Sequence, residues 1–286
     1  MIEVVFGQIL NGLVVGTMFG IGALAVSLTF GITGIVNFAL GAFMMLGAYL
    51  TWFIRDIGGW PFPAAALTAI IGVGVLGLIA DQTLFRFTRN NLVNGLLVSI
   101  GLISICEAAA LLLWTSTPRE MAPLLTGSIS ISGIRFPLAK LFVFGVLIAL
   151  IVATYLFLTR TWIGRAAFAY AQNPEAAVLM GVRTSILQSS VVVYSTMLAG
   201  AAGALYAVIY SIEPTIGSEF ILKAVEGSIL AGIGTTLGSL GGGILIGVTE
   251  GVGSIYLPLA FRDAYGLLLL TVILVLKPAG LFGGSK

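Results

Sequence analysis

Apolar residues fall into nine runs along the chain, and polar residues are confined to the stretches between them. A helix needs about 20 apolar residues to cross a hydrocarbon core. On that scale residues 9–30, 34–54, 62–84, 92–114, 139–158 and 189–210 each predict a span, the second broken near Asn37. Residues 223–234 are too short to cross upright and predict a tilted short helix or half-helix. Residues 240–258 and 264–276 complete the set. The connections carry their own signals. Residues 55–61 form a turn with Trp60 at the interface, and 86–91 are a polar loop. Residues 115–137 contain Pro118, Pro123 and Pro137, and the alternation from Gly127 to Gly133 predicts a small hairpin. Residues 213–219 read as a further polar loop.

The long polar interruption at 160–188 is the stretch around which the second half is organised. Asn173 is a good N-cap, because its side-chain oxygen can accept from an amide of the first turn. Pro174 follows where its missing N–H costs nothing, and Glu175 sits where the helix dipole favours a negative charge. Gly181 supplies a left-handed stop. Residues 174–180 therefore predict a helix of about two turns, with Ala176, Ala177, Val178, Leu179 and Met180 as its exposed apolar residues. The pattern admits two readings: a helix lying on lipid headgroups, or a knob that docks into a groove on a soluble partner.

Composition turns these runs into a class. Of 286 residues, 59% are hydrophobic and 8% charged, whereas charged residues make up about a quarter of a soluble globular chain. The expectation is an all-α, polytopic membrane protein of eight or nine helices, one of them short or re-entrant, forming a single transmembrane domain over 1–286. A net charge of +2 without a basic run gives no footing for nucleic acid. The lone Cys106 reads as an inert buried thiol. With no histidine, metal and Ser-His-Asp chemistry lose their usual residue. No paired carboxylates or activated nucleophile stand out, so no catalysis and no cofactor are assigned. No Gly-x-x-x-x-Gly-Lys-Ser/Thr occurs, so any ATP energy must come from a separate chain. Met1-Ile-Glu3 lacks a basic n-region, and the first span is expected to act as the insertion signal.

Few polar residues remain as candidates within the spans. Gly12, Gly16 and Gly20 are four apart, as are Gly243, Gly247 and Gly251, and each set makes one smooth helix face. Close packing in the bundle, a subunit interface and a sliding surface during gating all fit. Glu107, Glu226 and Glu250 lie in apolar runs, where each must face protein or water or be protonated. Glu250 shares the face of Gly243 and Gly247, so its carboxyl must find a donor there: a hydroxyl such as that of Thr249, or backbone amides of a broken helix. The alternative is that it lines a path and binds a solute amine. Asp81, near a helix end, is expected to be solvated. Asn37 and Gly41 follow a Gly-x-x-Gly that can break a helix and expose backbone to a solute, or merely kink it.

Three segments carry a family likeness: Gly164-Arg165-Ala166, then Gln172-Asn173-Pro174-Glu175-Ala176-Ala177, then Leu179-Met180-Gly181-Val182. Together they resemble the cytoplasmic coupling loop of the LivH-like permeases of branched-chain amino acid ABC importers, to which urea-importer permeases are similar. The run from Asn37 to Tyr49 is similar to the family's Asn-Phe-Ala-His-Gly-Glu pattern, with Leu40 and Ala42 in place of the His and Glu. Phe168 stands where many relatives carry Arg, and Ala231-Gly232 where Gly-Gly is usual. Lys223-Ala224, Glu250 and the tail 277–286 match. The resemblance implies a permease subunit for branched-chain or other apolar amino acids, with urea or short amides as the alternative. It implies ATPase contact at Arg165, Gln172, Asn173, Pro174, Glu175, Ala176, Ala177, Leu179, Met180 and Gly181. It implies a path or gate near Asn37, Gly41, Lys223, Glu226 and Glu250. It also implies ABC ATPase subunits, a second, LivM-like permease chain and a periplasmic or lipoprotein solute-binding protein as partners, in the inner membrane of a prokaryote. Outside this class, an ion-coupled secondary transporter or channel would show acids on broken helices in inverted repeats, and no such repeat is evident.

Nine membrane elements put the two chain ends on opposite sides. With the 160–188 loop inside, Arg86, Arg89, Arg160, Arg165, Arg183, Lys277 and Lys286 are inside. The remaining Lys and Arg nearly balance them, so the positive-inside rule adds little.

Overall fold

A computed structural model describes residues 2–88, 91–131, 134–256 and 262–283. The expected positions of Arg89, Gly133, Pro258 and Lys286, and the side chains of Arg262 and Asp263, lie outside the described residues. The chain opens with α1 (Ile2–Thr33), whose 32 residues extend about 48 Å at the α-helical rise. Gly34, at φ +69°, turns the chain out of it. The Asn37 carboxamide oxygen accepts from the Ala39 amide at 3.0 Å and starts α2 (Ala39–Trp52). The expected break near Asn37 thus falls before the second helix rather than within it. One π turn, Phe53–Ile57, prolongs α2.

Next come α3 (Phe62–Ala80), a π turn (Asp81–Phe85) and the short α4 (Arg86–Thr88). Asn91 caps α5 (Leu92–Trp114) by accepting from the amides of Val93 and Asn94. The expected hairpin is present: β1 (Ser128–Ile131) and β2 (Ile134–Pro137) pair antiparallel, with Ser130 opposite Arg135. It leads into α6 (Leu138–Arg160), then the short α7 (Trp162–Gln172) and α8 (Pro174–Leu179), then α9 (Thr184–Ile209). The chain ends with α10 (Ile216–Ala231), α11 (Gly238–Tyr256) and α12 (Arg262–Leu276).

Among the described residues nine helices build the bundle: α1, α2, α3, α5, α6, α9, α10, α11 and α12. Six of them, counting π turns and α4 with their parent helices, are long and apolar enough to cross a membrane. The other three are α10, α11 and α12. The protein is thus an all-α, multi-pass membrane protein. Residues 223–234 do not form a separate short helix. The helix begins at Ile216, because Gly217 packs on α2 at Gly41 and Ser218 finds a carboxylate on α5. Those partners are distant in sequence, so Ile216-Gly-Ser-Glu219 reads locally as loop. At 16 residues, α10 is about 24 Å long, short of the roughly 30 Å core.

The hairpin and the α6–α9 loop define two faces. Glu3 lies by Arg135 and Lys140 on the hairpin face. The C-terminal Phe282 lies by Phe168 and Gln172 of α7 on the loop face. The described ends therefore fall on opposite faces. α10 connects them too. The segment before it pairs with the hairpin-side loop through Arg119 and Ile212, and the Leu230 and Ala231 carbonyls accept from the Leu281 and Phe282 amides of the tail.

The two glycine faces meet each other. A Cβ built on Gly247 would lie 2.2 Å from Gly16 Cα, one on Gly243 2.3 Å from the Gly20 amide nitrogen, and one on Gly251 2.6 Å from the Gln8 carbonyl oxygen. From the other side, Gly12 approaches the Gly247 carbonyl to 2.6 Å by the same construction. α1 and α11 therefore touch backbone to backbone, the contact that small residues permit in membranes. α2 and α9 cross in the same way at Gly47, Gly200 and Gly203. By contrast, α3, α5 and α6 turn residues such as Leu67, Leu112 and Leu156 outward, as a lipid-facing surface requires.

Candidate functional site

Three charged residues on α10, at 219, 223 and 226, stand four and then three apart and so share one helix face. Lys223 and Glu226 are 6% and 8% exposed, and Glu250 on α11 is 2% exposed. The close α1–α11 contact carries Glu250 against α10, where its Oε1 lies 2.7 Å from Lys223 Nζ. Glu226 Oε2 lies 3.7 Å from the same nitrogen. Gly266 of α12 closes the cluster, since a Cβ there would come within 2.6 Å of Glu226 Oε2. Lys223 thus supplies Glu250 with an ammonium donor. Thr249 instead donates to Leu245 of its own helix at 2.7 Å. Isolated charges could not be held at such burial, and each needs its partner. The third intramembrane acid, Glu107, accepts from Ser218 Oγ of α10. All three acids of the apolar runs thus lie on α10 or touch it.

A cavity of about 300 Å³ opens beside Lys223. Glu219, Lys223 and Glu250 line it together with Tyr206 and Tyr210 from the end of α9. Its apolar wall is Val15, Met18 and Phe19 of α1 with Ile216 and Phe220 of α10. The volume is at the low end of the range for small-molecule sites, and the mix of an apolar wall with a few converging polar groups is what such sites have.

The structure brings Lys223, Glu226 and Glu250 together but leaves Asn37 and Gly41 elsewhere. Asn37 is buried and spends its oxygen on the Ala39 cap. Gly41 packs on the Gly217 carbonyl, which a Cβ would approach to 2.2 Å. Glu219, Tyr206 and Tyr210 were not singled out from the sequence. The i, i+4 spacing of Glu219 and Lys223 was the available signal, hidden because residues 213–219 read as loop. Asp81 is not solvated: it is 1% exposed and accepts from Ser189 Oγ of α9 at 2.5 Å. The π turn carries it inward, between α9 and the segment after α1.

On the loop face, the basic stretch before Asn173 is itself helical. Thr161 caps α7 by accepting from the Gly164 amide at 3.1 Å. Asn173 caps α8 by accepting from the Ala176 amide at 3.0 Å, and Gly181 ends it at φ +88°. Leu179 and Met180 are 87% and 86% exposed. Arg165, Gln172, Pro174, Glu175 and Ala176 are also exposed. Ala177 is not: at 5% exposure it turns inward, and its carbonyl accepts from the Val182 amide. A two-turn helix lying against the protein must bury one side, and Ala177 is on that side. Residues 184–188 belong to α9 rather than to the loop.

The family model described as branched-chain amino acid transport system / permease component matches residues 8–277. The chain is 28% identical to the high-affinity branched-chain amino acid transport system permease protein BraD of Pseudomonas aeruginosa, covering 96% of this chain and 95% of that one. It is 27% identical to LivH of Escherichia coli K12, covering 96% and 94%. A solved structure, PsaBC from Streptococcus pneumoniae in complex with Fab, superposes with a TM-score of 0.50 at 15% identity, over 93% of this chain and 89% of that one. That likeness speaks to the fold alone.

Proposed function

The chain belongs to the branched-chain amino acid transport system permease family, and from that premise we propose that it forms part of the path of an ATP-binding-cassette importer. Its solutes are branched-chain or other apolar amino acids, handed over by a solute-binding protein. The observation that carries the reading is the family match along residues 8–277. ATP is hydrolysed in separate partner subunits, since this chain has no phosphate-binding loop. A second permease chain stands beside it, in the inner membrane of a prokaryote with the α6–α9 loop in the cytoplasm.

In this reading α8 is the knob on which the ATPase pushes. A capped helix that leaves Leu179 and Met180 in the open offers apolar area to a groove. Its neighbour α7 lies against α1, α6 and α9, so a push on the pair reaches the bundle. A cavity between α7 and the tail adjoins Phe282, and the tail is hydrogen-bonded to the end of α10. A contiguous run of contacts thus joins the loop to the helix that carries Lys223.

Reconstituted importer, assembled with its partner subunits, is expected to take up leucine, isoleucine and valine on ATP addition, and not urea or fructose. Uptake of urea or fructose alone would overturn the amino-acid assignment. Leu179→Asp and Met180→Asp are expected to insert normally yet lower ATP-driven uptake by about tenfold or more, as loss of an interface anchor does. Normal uptake in both would sink the docking role. For orientation, single cysteines at Ser185 and Ser128, in a Cys106→Ser background, are expected to react with impermeant reagent from opposite sides. Both positions are exposed. Reaction of both from one side would reverse the assignment.

A further inference from the structure

We infer that the cavity between α7 and the start of α11 is a separate binding site, for a small carboxylic acid with an apolar body. The inference rests on the transport reading above only for the side it faces: that reading puts the α6–α9 loop, and with it this cavity, in the cytoplasm.

The cavity holds about 470 Å³ on the loop face, within the size range of small-molecule sites. Leu28 and Ile32 of α1, Leu158 of α6 and the rings of Phe168 and Phe282 give it an apolar wall. Residues 234–238 belong to the same lining. Gly234 turns there at φ +91°, and α11 starts at Gly238. α11 runs for 19 residues, and the first amides of a helix have no partner within it. The aligned peptide dipoles add about half a positive charge at that end, so it favours an anion. A second observation points the same way. Ser27 of α1 borders this cavity, and its Oγ is buried without a hydrogen-bond partner among the described residues. A buried hydroxyl left so is costly, and a carboxylate oxygen in the cavity would accept from it. No charged side chain is among the residues that line the cavity. A single negative charge suits the helix end, whereas an ammonium group meets no counter-charge. Space is free as well: a Cβ built on Gly31, also in the lining, meets nothing within 4 Å.

The test uses the assembled importer in lipid nanodiscs, without nucleotide or binding protein. It measures binding of 4-methylpentanoate and of its uncharged amide, 4-methylpentanamide. The wild type is expected to bind the acid about tenfold or more tighter than the amide, the scale of one charge-assisted hydrogen bond. Ser27→Ala is expected to weaken the acid by about fivefold. Gly31→Leu puts a side chain into the empty volume and is expected to abolish binding of both probes. Leucine suits a helix better than glycine, and the melting temperature of this variant reports that it is folded. Acid and amide bound alike by the wild type overturn the inference, as does a wild type that binds neither. Acid affinity within about twofold of wild type in either variant also overturns it. Hexadecanoate presents the same carboxylate from the membrane, and stronger competition by it than by the short acid overturns the small-molecule assignment. Failure of the transport reading looks different: the complete wild-type importer, binding protein included, shows no ATP-driven leucine uptake, whereas binding at this cavity needs neither ATP nor uptake.

Discussion

Lys223→Met is expected to destabilise the protein by about 3–5 kcal/mol, the usual cost of removing one partner from a buried ion pair. The methionine fills the space, so the loss is not one of packing. It comes from Glu250, whose carboxyl is left among α1, α10 and α11 with the 2.7 Å ammonium contact gone, and from Glu226, which loses the same nitrogen. Glu250→Gln is expected to cost less, because the amide keeps a hydrogen bond to Lys223, whose charge still faces Glu226. The triple variant Lys223→Met, Glu226→Gln, Glu250→Gln is expected to recover most of the loss, since none of the three buried charges then remains. The check is the melting temperature of detergent-solubilised protein, read by size-exclusion after heating. A Lys223→Met protein that melts with the wild type would show that the pair does not hold these helices. A triple variant no better than the single would move the cause from charge to shape.

Gly247→Ala is expected to lower stability by about 1–3 kcal/mol, and Gly247→Leu by more, through overpacking of the α1–α11 contact. The added methyl would sit 2.2 Å from Gly16 Cα and 2.3 Å from the Gly16 amide nitrogen. Both are backbone atoms, so no side chain can turn aside. The helices must separate, which weakens the contact at Gly12, Gly243 and Gly251 as well. The control is Gly101→Ala or Gly145→Ala, where an added Cβ meets nothing within 4 Å. There the change is expected to be neutral or to stabilise by up to about 1 kcal/mol, the helix-propensity gain. If Gly247→Ala melts with these controls, the two faces are not in contact.

These two effects rest on different kinds of information. The glycine spacing at 12, 16, 20 and at 243, 247, 251 is visible in the chain, and so is the smooth face it makes. That the faces oppose each other is not, because more than 200 residues and several helices separate them. The Lys223–Glu250 pair has the same character. Each residue stands out alone in an apolar run, yet their meeting depends on the rotation of two helices about their own axes. Glu219 was lost for a related reason: its stretch looks like loop until Gly41 and Glu107 supply partners for Gly217 and Ser218.

What neighbours along the chain decide was legible. Hydropathy over about 20 residues sets a span, and the limits of α5 follow from Asn91 and the polar stretch after Trp114. The caps at Asn173 and Gly181 act within a single turn, and both have the expected geometry. The membrane class follows from composition, and the family from motifs quoted in order. Contacts between distant helices decided the rest: Ala177 turned inward, Asp81 buried against Ser189, and the acids at 107 and 250 brought against α10, which carries Glu226. Capping and hydropathy are energies of adjacent residues, and the sequence states them directly. The position of a charge in a bundle is an energy of the assembled whole, because burial is defined only once every helix has found its neighbours.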